Sequence, residues 1–235
     1  DEWNDEEDII IDREEVLKQF PEDHGFIVSD DGKTVELDLG QQSEESFELT
    51  PDQTRTLIEN NQTINLKKDE VQASIPASSF NNYDEPVTID INEVPSDSNS
   101  LSNTYDFTIK QGTRTISQFE DGIALTFNVN ASRAKNPNNL KVFYFNEETN
   151  KWERVGGTYS NGTVTVVTYH FSIFTVFEVA DEDGDSDDIV IIDDTNNGDN
   201  NSDDSNNETI EDPAVNPDNE LDQTETDDPS RNTED

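Results

Sequence analysis

The chain has 235 residues, and its 56 Asp and Glu against 14 Lys and Arg give a formal net charge of −42. The electrostatic field of so negative a chain repels nucleic acids and anionic membranes, so the composition argues against a nucleic-acid-binding function. The absence of cysteine excludes disulfides and thiolate chemistry, and no apolar run approaches the roughly 18 residues of a membrane span. We therefore expect neither nucleic-acid partners nor membrane insertion.

The charge is distributed over the whole sequence. Residues 181–235 carry 22 acidic residues and one basic residue, a net charge of −21, and residues 1–180 carry the other −21. Residues 181–235 contain only eight hydrophobic and no aromatic residues, too few to offset the entropy of ordering. We predict an acidic linker at 1–8, a β-sandwich domain at 9–180 that includes a small N-terminal subregion at 9–70, and a disordered Asp- and Asn-rich linker or tail at 181–235.

Two short helices and a hairpin are predicted in the first sixty residues. After a short β-prone run at residues 9–11, Asp12 with Glu15 three residues later is typical of a helix start. Residues 25–39 alternate around an Asp-Gly turn, which indicates a hairpin. Thr50, Pro51 and Gln53 form a capping-box pattern, which predicts a helix at residues 50–59.

The rest of the first 180 residues is dominated by short alternating segments. Their period of two and the polar turns between them predict an antiparallel β-sandwich, immunoglobulin-like or related, so the fold class is mainly β. The predicted strands lie at residues 62–67, 70–75, 86–94, 104–111, 122–130, 140–146, 151–155, 162–168 and 170–179.

Two β-prone segments with acidic flanks have similar sequences. Glu7-Asp-Ile-Ile-Ile-Asp12 is similar to Asp187-Asp-Ile-Val-Ile-Ile-Asp-Asp194. In one interpretation the carboxylates suppress aggregation of a sticky segment. In the other, one or both segments add an edge strand, and residues 189–192 are the better candidate.

Several of these segments together resemble a β-rich module of exported Gram-positive proteins. That module occurs in S-layer-homology (SLH) proteins and as an accessory domain of secreted hydrolases. The most specific likeness is the closing strand, His170-Phe-Ser followed by an aromatic residue at Phe174 and a valine at Val176. The other matching segments are residues 73–80, 87–91, 105–109, 119–129, 139–145 and 151–155. The resemblance implies a non-catalytic surface module with no catalytic or cofactor-binding residues.

The candidate catalytic residues form no pattern typical of an enzyme. His24 and His170 are too few for a zinc site, and neither Ser160 nor Ser172 lies in a Gly-x-Ser-x-Gly context. We predict no enzymatic activity and no cofactor. A weak Ca²⁺ candidate is the acidic run that contributes Asp181, Asp183, Asp185 and Asp187, although its glycine comes too early for an EF-hand loop.

Three function hypotheses follow from these patterns. The first is a structural or interaction module of a secreted or wall-associated bacterial protein, whose partners are the cell wall or other domains of the same protein. The second is a carbohydrate-binding accessory domain of an extracellular enzyme, with ligand-stacking rings at Trp152, Tyr159 and Tyr169, although Trp152 also fits a core position. The third is a polyanion that binds cations or basic partners. The acidity further indicates a salt-loving source.

Overall fold

A computed structural model describes residues 10–41, 46–81, 84–180 and 189. These residues all belong to one compact unit that spans Asp1–Asp194. The predicted acidic linker at residues 1–8 and the predicted disordered tail at residues 181–235, apart from Ile189, lie outside the described residues.

Two α-helices and fourteen β-strands form the described part of the chain. The helices are α1 (Arg13–Gln19) and α2 (Pro51–Glu59). The strands are β1 (Phe26–Val28), β2 (Thr34–Asp38), β3 (Ser46–Leu49), β4 (Thr63–Lys68), β5 (Val71–Pro76), β6 (Val87–Val94), β7 (Thr104–Gln111), β8 (Arg114–Ile116), β9 (Gln118–Asn128), β10 (Leu140–Asn146), β11 (Lys151–Gly156), β12 (Thr158–Ser160), β13 (Thr163–His170) and β14 (Ile173–Glu178).

Both predicted helix starts are confirmed by their caps. The Asp12 carboxylate accepts a hydrogen bond from the Glu14 backbone N–H at 3.0 Å at the start of α1. Thr50 and Gln53 form a reciprocal capping box at the start of α2, where each side chain accepts from the other's backbone N–H. Such caps satisfy backbone donors that have no partner inside the helix, which fixes where each helix begins.

The strands form two seven-stranded sheets. The first sheet has the order β1-β2-β4-β5-β9-β13-β12. The second has the order β11-β10-β14-β7-β6-β3, with β8 paired to β7. Nearly all neighbouring strands are antiparallel, so the predicted mainly β architecture of two antiparallel sheets is confirmed.

The core lies between the two sheets because alternate residues of each strand point inward. Phe127 of β9 in the first sheet contacts Tyr105 and Phe107 of β7 in the second, with ring centroids 6.5 and 6.4 Å apart. All three side chains are buried, and they belong to one hydrophobic cluster that includes inward residues of both sheets. This single core makes the two sheets a sandwich.

The structure differs from the sequence prediction at a few elements. β2 pairs with β4 in parallel, because α2 carries the chain back to the same end of the sheet before β4 begins. The short strands β3, β8 and β12 were not predicted, since three or four residues are too few to establish a period. Ile10 and Ile11 do not form the short strand expected at residues 9–11, and Ile9 lies outside the described residues.

Candidate functional site

The three predicted ligand-stacking rings lie on different surfaces. Tyr169 of β13 points outward from the first sheet and its side chain is 57% exposed. Tyr159 of β12 lies opposite the inward-facing Val164 and packs against the core between the sheets. Trp152 belongs to β11 of the second sheet. The structure therefore does not bring these rings together into one stacking platform.

Trp152 is half-buried in a second hydrophobic cluster on the outward side of the second sheet. Its ring centroid lies 5.3 Å from that of Phe145 and 5.3 Å from that of Phe177. Phe143 and Val179 complete this cluster from β10 and the end of β14. These contacts give Trp152 a packing role close to the one expected for a core position.

Ile189 also packs against this cluster and forms an antiparallel bridge with Val179. At this residue the bridge favours the interpretation in which the segment adds an edge strand over the one in which its carboxylates only suppress aggregation. Residues 190–192 lie outside the described residues, and so do residues 7–9 of the similar N-terminal segment, residues 7–12. Ile10 in that segment is exposed.

Two of the residues considered for catalysis, His170 and Ser172, have side-chain contacts with neighbouring strands. The His170 ring packs edge-on against Tyr144 and stacks on Phe174, with centroid distances of 4.6 and 5.8 Å. The Ser172 hydroxyl donates a hydrogen bond to the Phe145 carbonyl at 3.1 Å. His24 lies in a short 3₁₀ turn near α1, and the Ser160 carbonyl accepts from the Thr163 hydroxyl.

The weak Ca²⁺ candidate cannot be placed, because Asp181, Asp183, Asp185 and Asp187 lie outside the described residues. Within the described ranges, no three His, Cys, Asp or Glu side chains converge where they could hold a metal ion. The calcium hypothesis for the acidic run stays a prediction.

A surface with few charged residues lies on the outward side of four neighbouring strands of the first sheet. On β5, β9, β13 and β12, the inward residues are apolar and their neighbours in the sequence point to solvent. We name this outward set the neutral face, because none of its members is charged. In β9 it begins at Gly122, directly after the exposed Glu120 and Asp121. Its members are Gln72, Ser74, Pro76, Gly122, Ala124, Thr126, Asn128, Thr158, Ser160, Thr163, Thr165, Val167 and Tyr169.

Strand pairing aligns the polar residues of the neutral face into rows. In one row, Gln72 lies opposite Thr126, Thr126 opposite Thr165, and Thr165 opposite Thr158. The hydroxyl oxygens of Thr126 and Thr165 are 3.0 Å apart, within hydrogen-bonding distance. Adjacent strands are about 4.8 Å apart, so each row presents hydroxyl and amide groups at a regular spacing.

One end of the neutral face carries two exposed side chains over a glycine. A Cβ built on Gly122 would lie 2.2 Å from Cγ1 of Val167 and 3.4 Å from Cε1 and Cζ of Tyr169. Val167 and Tyr169 are 50% and 57% exposed. Only glycine at position 122 lets these two side chains lie close to the sheet while still facing solvent.

The outward side of the second sheet has a different electrostatic character. Asp90 on β6 and Asp106 on β7 lie there, near Glu147 in the turn after β10. Burial raises the pKa of Asp106 above its ordinary value, and the negative charges of Glu147 and Asp90 raise it further. Carboxylates are thus crowded on one sheet and absent from the neutral face of the other.

A cavity of about 300 Å³ lies beside the start of α2. Its apolar lining includes Phe26 and Phe47, whose ring centroids are 6.2 Å apart. Gln53 also lines it, but its amide already donates to the Gln19 carbonyl and accepts from the Thr50 N–H. Gln53 is therefore engaged in holding the helix, and the other polar side chains that line the cavity are His24, Ser46, Glu48, Thr50 and Lys68.

Sequence reasoning selected Tyr169 but missed the surface around it. The alternation of residues 163–169 already showed an outward series without charge, Thr163, Thr165, Val167 and Tyr169. The neighbouring strands come from residues 71–76, 118–128 and 158–160, and only the strand order places them side by side.

In the part of the chain that the structure describes, no helix has the length and apolar character needed to cross a membrane.

Comparison with known proteins finds similarity to parts of two larger chains, and no family model matches the sequence. The chain is 32% identical over 164 residues to a protein of Evansella cellulosilytica named "Putative membrane protein", a match that covers 66% of this chain and 25% of that protein. It is 31% identical over 166 residues to an amylopullulanase of Thermoanaerobacterium thermosulfurigenes, covering 65% of this chain and 9% of that enzyme. The chain thus spans a quarter or less of these relatives, and it is homologous to a segment of each.

Proposed function

We propose that this chain is a non-catalytic accessory module of a larger extracellular bacterial protein. The observation that carries the proposal is the size of the shared segment, which makes up 25% of one relative and 9% of the other. Matches of 164 and 166 residues within two much longer chains support a unit that occurs in more than one protein. A β-sandwich with its own core suits such a unit, since domains with their own hydrophobic core are able to fold alone.

Two roles for such a module are distinguished by the surface that it offers. A spacer or surface-display domain, on the cell wall or beside other domains of the same protein, needs only a stable core and a soluble surface. A carbohydrate-binding accessory domain of an extracellular enzyme needs a contact surface as well. The similarity to an amylopullulanase favours the second role, and the neutral face with exposed Tyr169 offers such a surface.

The packing of the candidate catalytic residues supports the non-catalytic part of the proposal. His170 is held between two aromatic rings, and the Ser172 hydroxyl is bound to a backbone carbonyl. A nucleophile and its base need to be within hydrogen-bonding reach of each other. Both side chains instead stabilise the turn between β13 and β14 and its contact with β10.

An activity and fusion experiment tests the proposal. The 235-residue chain is assayed for release of reducing sugar from starch, pullulan and a β-glucan, and is then fused to a glucan hydrolase domain that has no accessory module. We expect no release by the chain alone. In the fusion, faster hydrolysis of insoluble but not of soluble glucan supports the carbohydrate-binding role, and unchanged rates support the spacer role.

Two results would contradict the proposal. One is reducing-sugar release by the chain alone that survives repurification and disappears on heat denaturation. The other is recovery of the protein in its source organism only from the cell interior, with none in the medium or on washed cell surfaces.

A further inference from the structure

We propose that the neutral face is a contact surface for an uncharged polysaccharide, of the α-glucan class. This inference deepens the carbohydrate-binding version of the proposed function and rests on it. It rests in addition on three properties of the surface: its lack of charge, its rows of hydroxyl and amide groups, and the aromatic ring at one end.

The lack of charge is informative because the rest of the chain is so acidic. Asp and Glu make up 56 of 235 residues, yet none of the 13 members of the neutral face is a carboxylate, and the nearest ones, Glu120, Asp121 and Glu70, lie at its edges. Carboxylates bind water strongly, and covering one with an uncharged ligand that cannot neutralise it is costly. A surface without them can be desolvated by a neutral ligand at low cost. The net charge of −42 meanwhile repels anionic polymers.

The rows of polar groups suit a ligand that is itself rich in hydroxyls. The row from Gln72 through Thr126 and Thr165 to Thr158 supplies donors and acceptors across four strands. A second row joins Asn128, Thr163 and Ser160, although the Asn128 amide already donates to the Glu70 carboxylate and the Thr163 hydroxyl to the Ser160 carbonyl. A hydroxyl both donates and accepts, so these groups can match sugar hydroxyls in many orientations along a polymer.

Tyr169 supplies the apolar part of the surface. Tyr169 is more than half exposed and lies beside Val167. Its ring lies close to the backbone of β9 only because residue 122 is glycine. Aromatic rings combine a large apolar surface with a polar tip, so Tyr169 can cover the C–H face of a sugar ring while its hydroxyl stays in water.

The same composition argues against a protein partner as the occupant. Protein interfaces are enriched in aromatic residues, Met and Arg and are depleted in Ser. On the neutral face the apolar members are Pro76, Ala124, Val167 and Tyr169, and the remaining side chains are hydroxyls and amides. A surface with one aromatic ring and many hydroxyls is poorly matched to an apolar protein interface.

Binding to insoluble starch and titration calorimetry with soluble pullulan test the inference on the full 235-residue chain. We expect binding to at least one of these neutral glucans and none to polygalacturonate. Binding should be the same at about 0.1 M and about 1 M NaCl, because no ion pair is involved. Two variants address the surface: Tyr169→Ala and Thr158→Asp should each weaken binding about tenfold, through loss of the ring and through burial of a charge.

Matched variants control for folding and for added charge. Tyr169→Phe keeps the ring and should bind within about twofold of the original chain. Thr115→Asp adds the same charge at an exposed threonine of β8 in the second sheet and should leave binding unchanged. Far-UV circular dichroism verifies that each variant is folded.

The outcomes separate this inference from the proposed function. If the folded chain binds no neutral glucan, or if Tyr169→Ala and Thr158→Asp bind as well as Thr115→Asp, the inference is wrong. If Thr158→Asp instead abolishes self-association measured by sedimentation, the neutral face is a protein interface. In all of these cases the accessory role still stands or falls with the hydrolysis and localisation results.

Discussion

The Tyr169 ring of β13 lies against Gly122 of β9, where the absence of a side chain on the glycine makes room for the ring. The tyrosine ring lies so close to β9 that Cε1 and Cζ would both be 3.4 Å from a Cβ at position 122. Glycine in a strand usually weakens it, because it has no side chain to pack and loses more entropy on folding. Here an aromatic neighbour covers the gap, a known way to stabilise glycine in a sheet.

Gly122→Ala should destabilise the fold by overpacking. The new methyl group would lie 2.2 Å from Cγ1 of Val167, so the valine must move and disturb Tyr169. We expect the free energy of unfolding to fall by about 1–3 kcal/mol, which urea denaturation measures.

The double variant Gly122→Ala/Val167→Ala is the control, because alanine at 167 removes the clashing Cγ1. Val167→Ala alone should cost less than about 1 kcal/mol, since the side chain is half-exposed. The two substitutions should couple by about 0.5–3 kcal/mol, with the double variant more stable than the sum predicts. If the two losses of unfolding free energy were strictly additive, contact between the added methyl group and Val167 would not be the cause of the destabilisation.

Tyr144→Phe should lower the melting temperature most strongly near neutral pH. The Tyr144 hydroxyl donates to the Glu153 carboxylate, which also accepts from the Asn146 amide at 2.6 Å. The bond from Tyr144, followed by that from Asn146, lowers the pKa of Glu153. The same bond to Glu153 is the main cause that raises the pKa of Tyr144.

The sign of each shift sets the pH window. The Glu153 contribution is present above the unfolded carboxyl pKa of about 4.3 and is lost as the pH falls through the lower folded value. The Tyr144 contribution is present below about pH 10 and is lost as the pH rises through the folded value. The melting temperatures of the original chain and of Tyr144→Phe should therefore differ most at pH 7, and the difference should disappear toward pH 3. A difference that is constant with pH would contradict the bond.

Asp106→Asn should raise the melting temperature at pH 7. The pKa of Asp106 is raised by burial and by the charges of Glu147 and Asp90, so the ionised form is disfavoured in the folded state. Stability is then lost as the pH rises from the unfolded to the folded pKa, and the loss is complete above both.

The gain from Asp106→Asn should vanish below about pH 4, where the carboxyl of the original chain is already protonated. Asp30→Asn, which removes the same charge from an exposed turn residue, is the matched control and should give a smaller gain. Equal gains from both variants would mean that net charge, rather than the local contact, is responsible.

Salt should stabilise the whole domain. Half of the −42 charge lies in residues 1–180, and carboxylates on one surface repel each other. Raising NaCl from about 0.1 M to about 1 M shortens the Debye length from about 10 Å to about 3 Å and screens this repulsion. The melting temperature should rise over that range, and a flat or falling value would contradict the prediction.

Local patterns in the sequence were sufficient to predict most of the elements. The capping box at Thr50 and Gln53 and the Asp-Gly turn before β2 each depend on a few adjacent residues, and both formed as predicted. Apolar and polar residues alternate over residues 87–91 of β6 and 105–109 of β7, so the period of two is clear there.

Features that depend on strand order were not predicted. The parallel pairing of β2 with β4 follows from how α2 returns the chain, which no local pattern records. The neutral face joins strands that are distant in the sequence, so its lack of carboxylates is visible only after β5, β9, β13 and β12 are placed side by side. Trp152 was ambiguous for a related reason, because its neighbours Phe145 and Phe177 lie on other strands.

Mapping a bound glucan onto the chain by amide chemical-shift perturbation tests the central claim most directly. Soluble pullulan fragments are titrated into the isotope-labelled 235-residue chain, with polygalacturonate fragments as the control. The account predicts that the perturbed amides concentrate on β5, β9, β13 and β12, with Tyr169 among the largest shifts. Perturbation confined to the second sheet or to the cavity beside α2, or no perturbation by any neutral glucan, would contradict it.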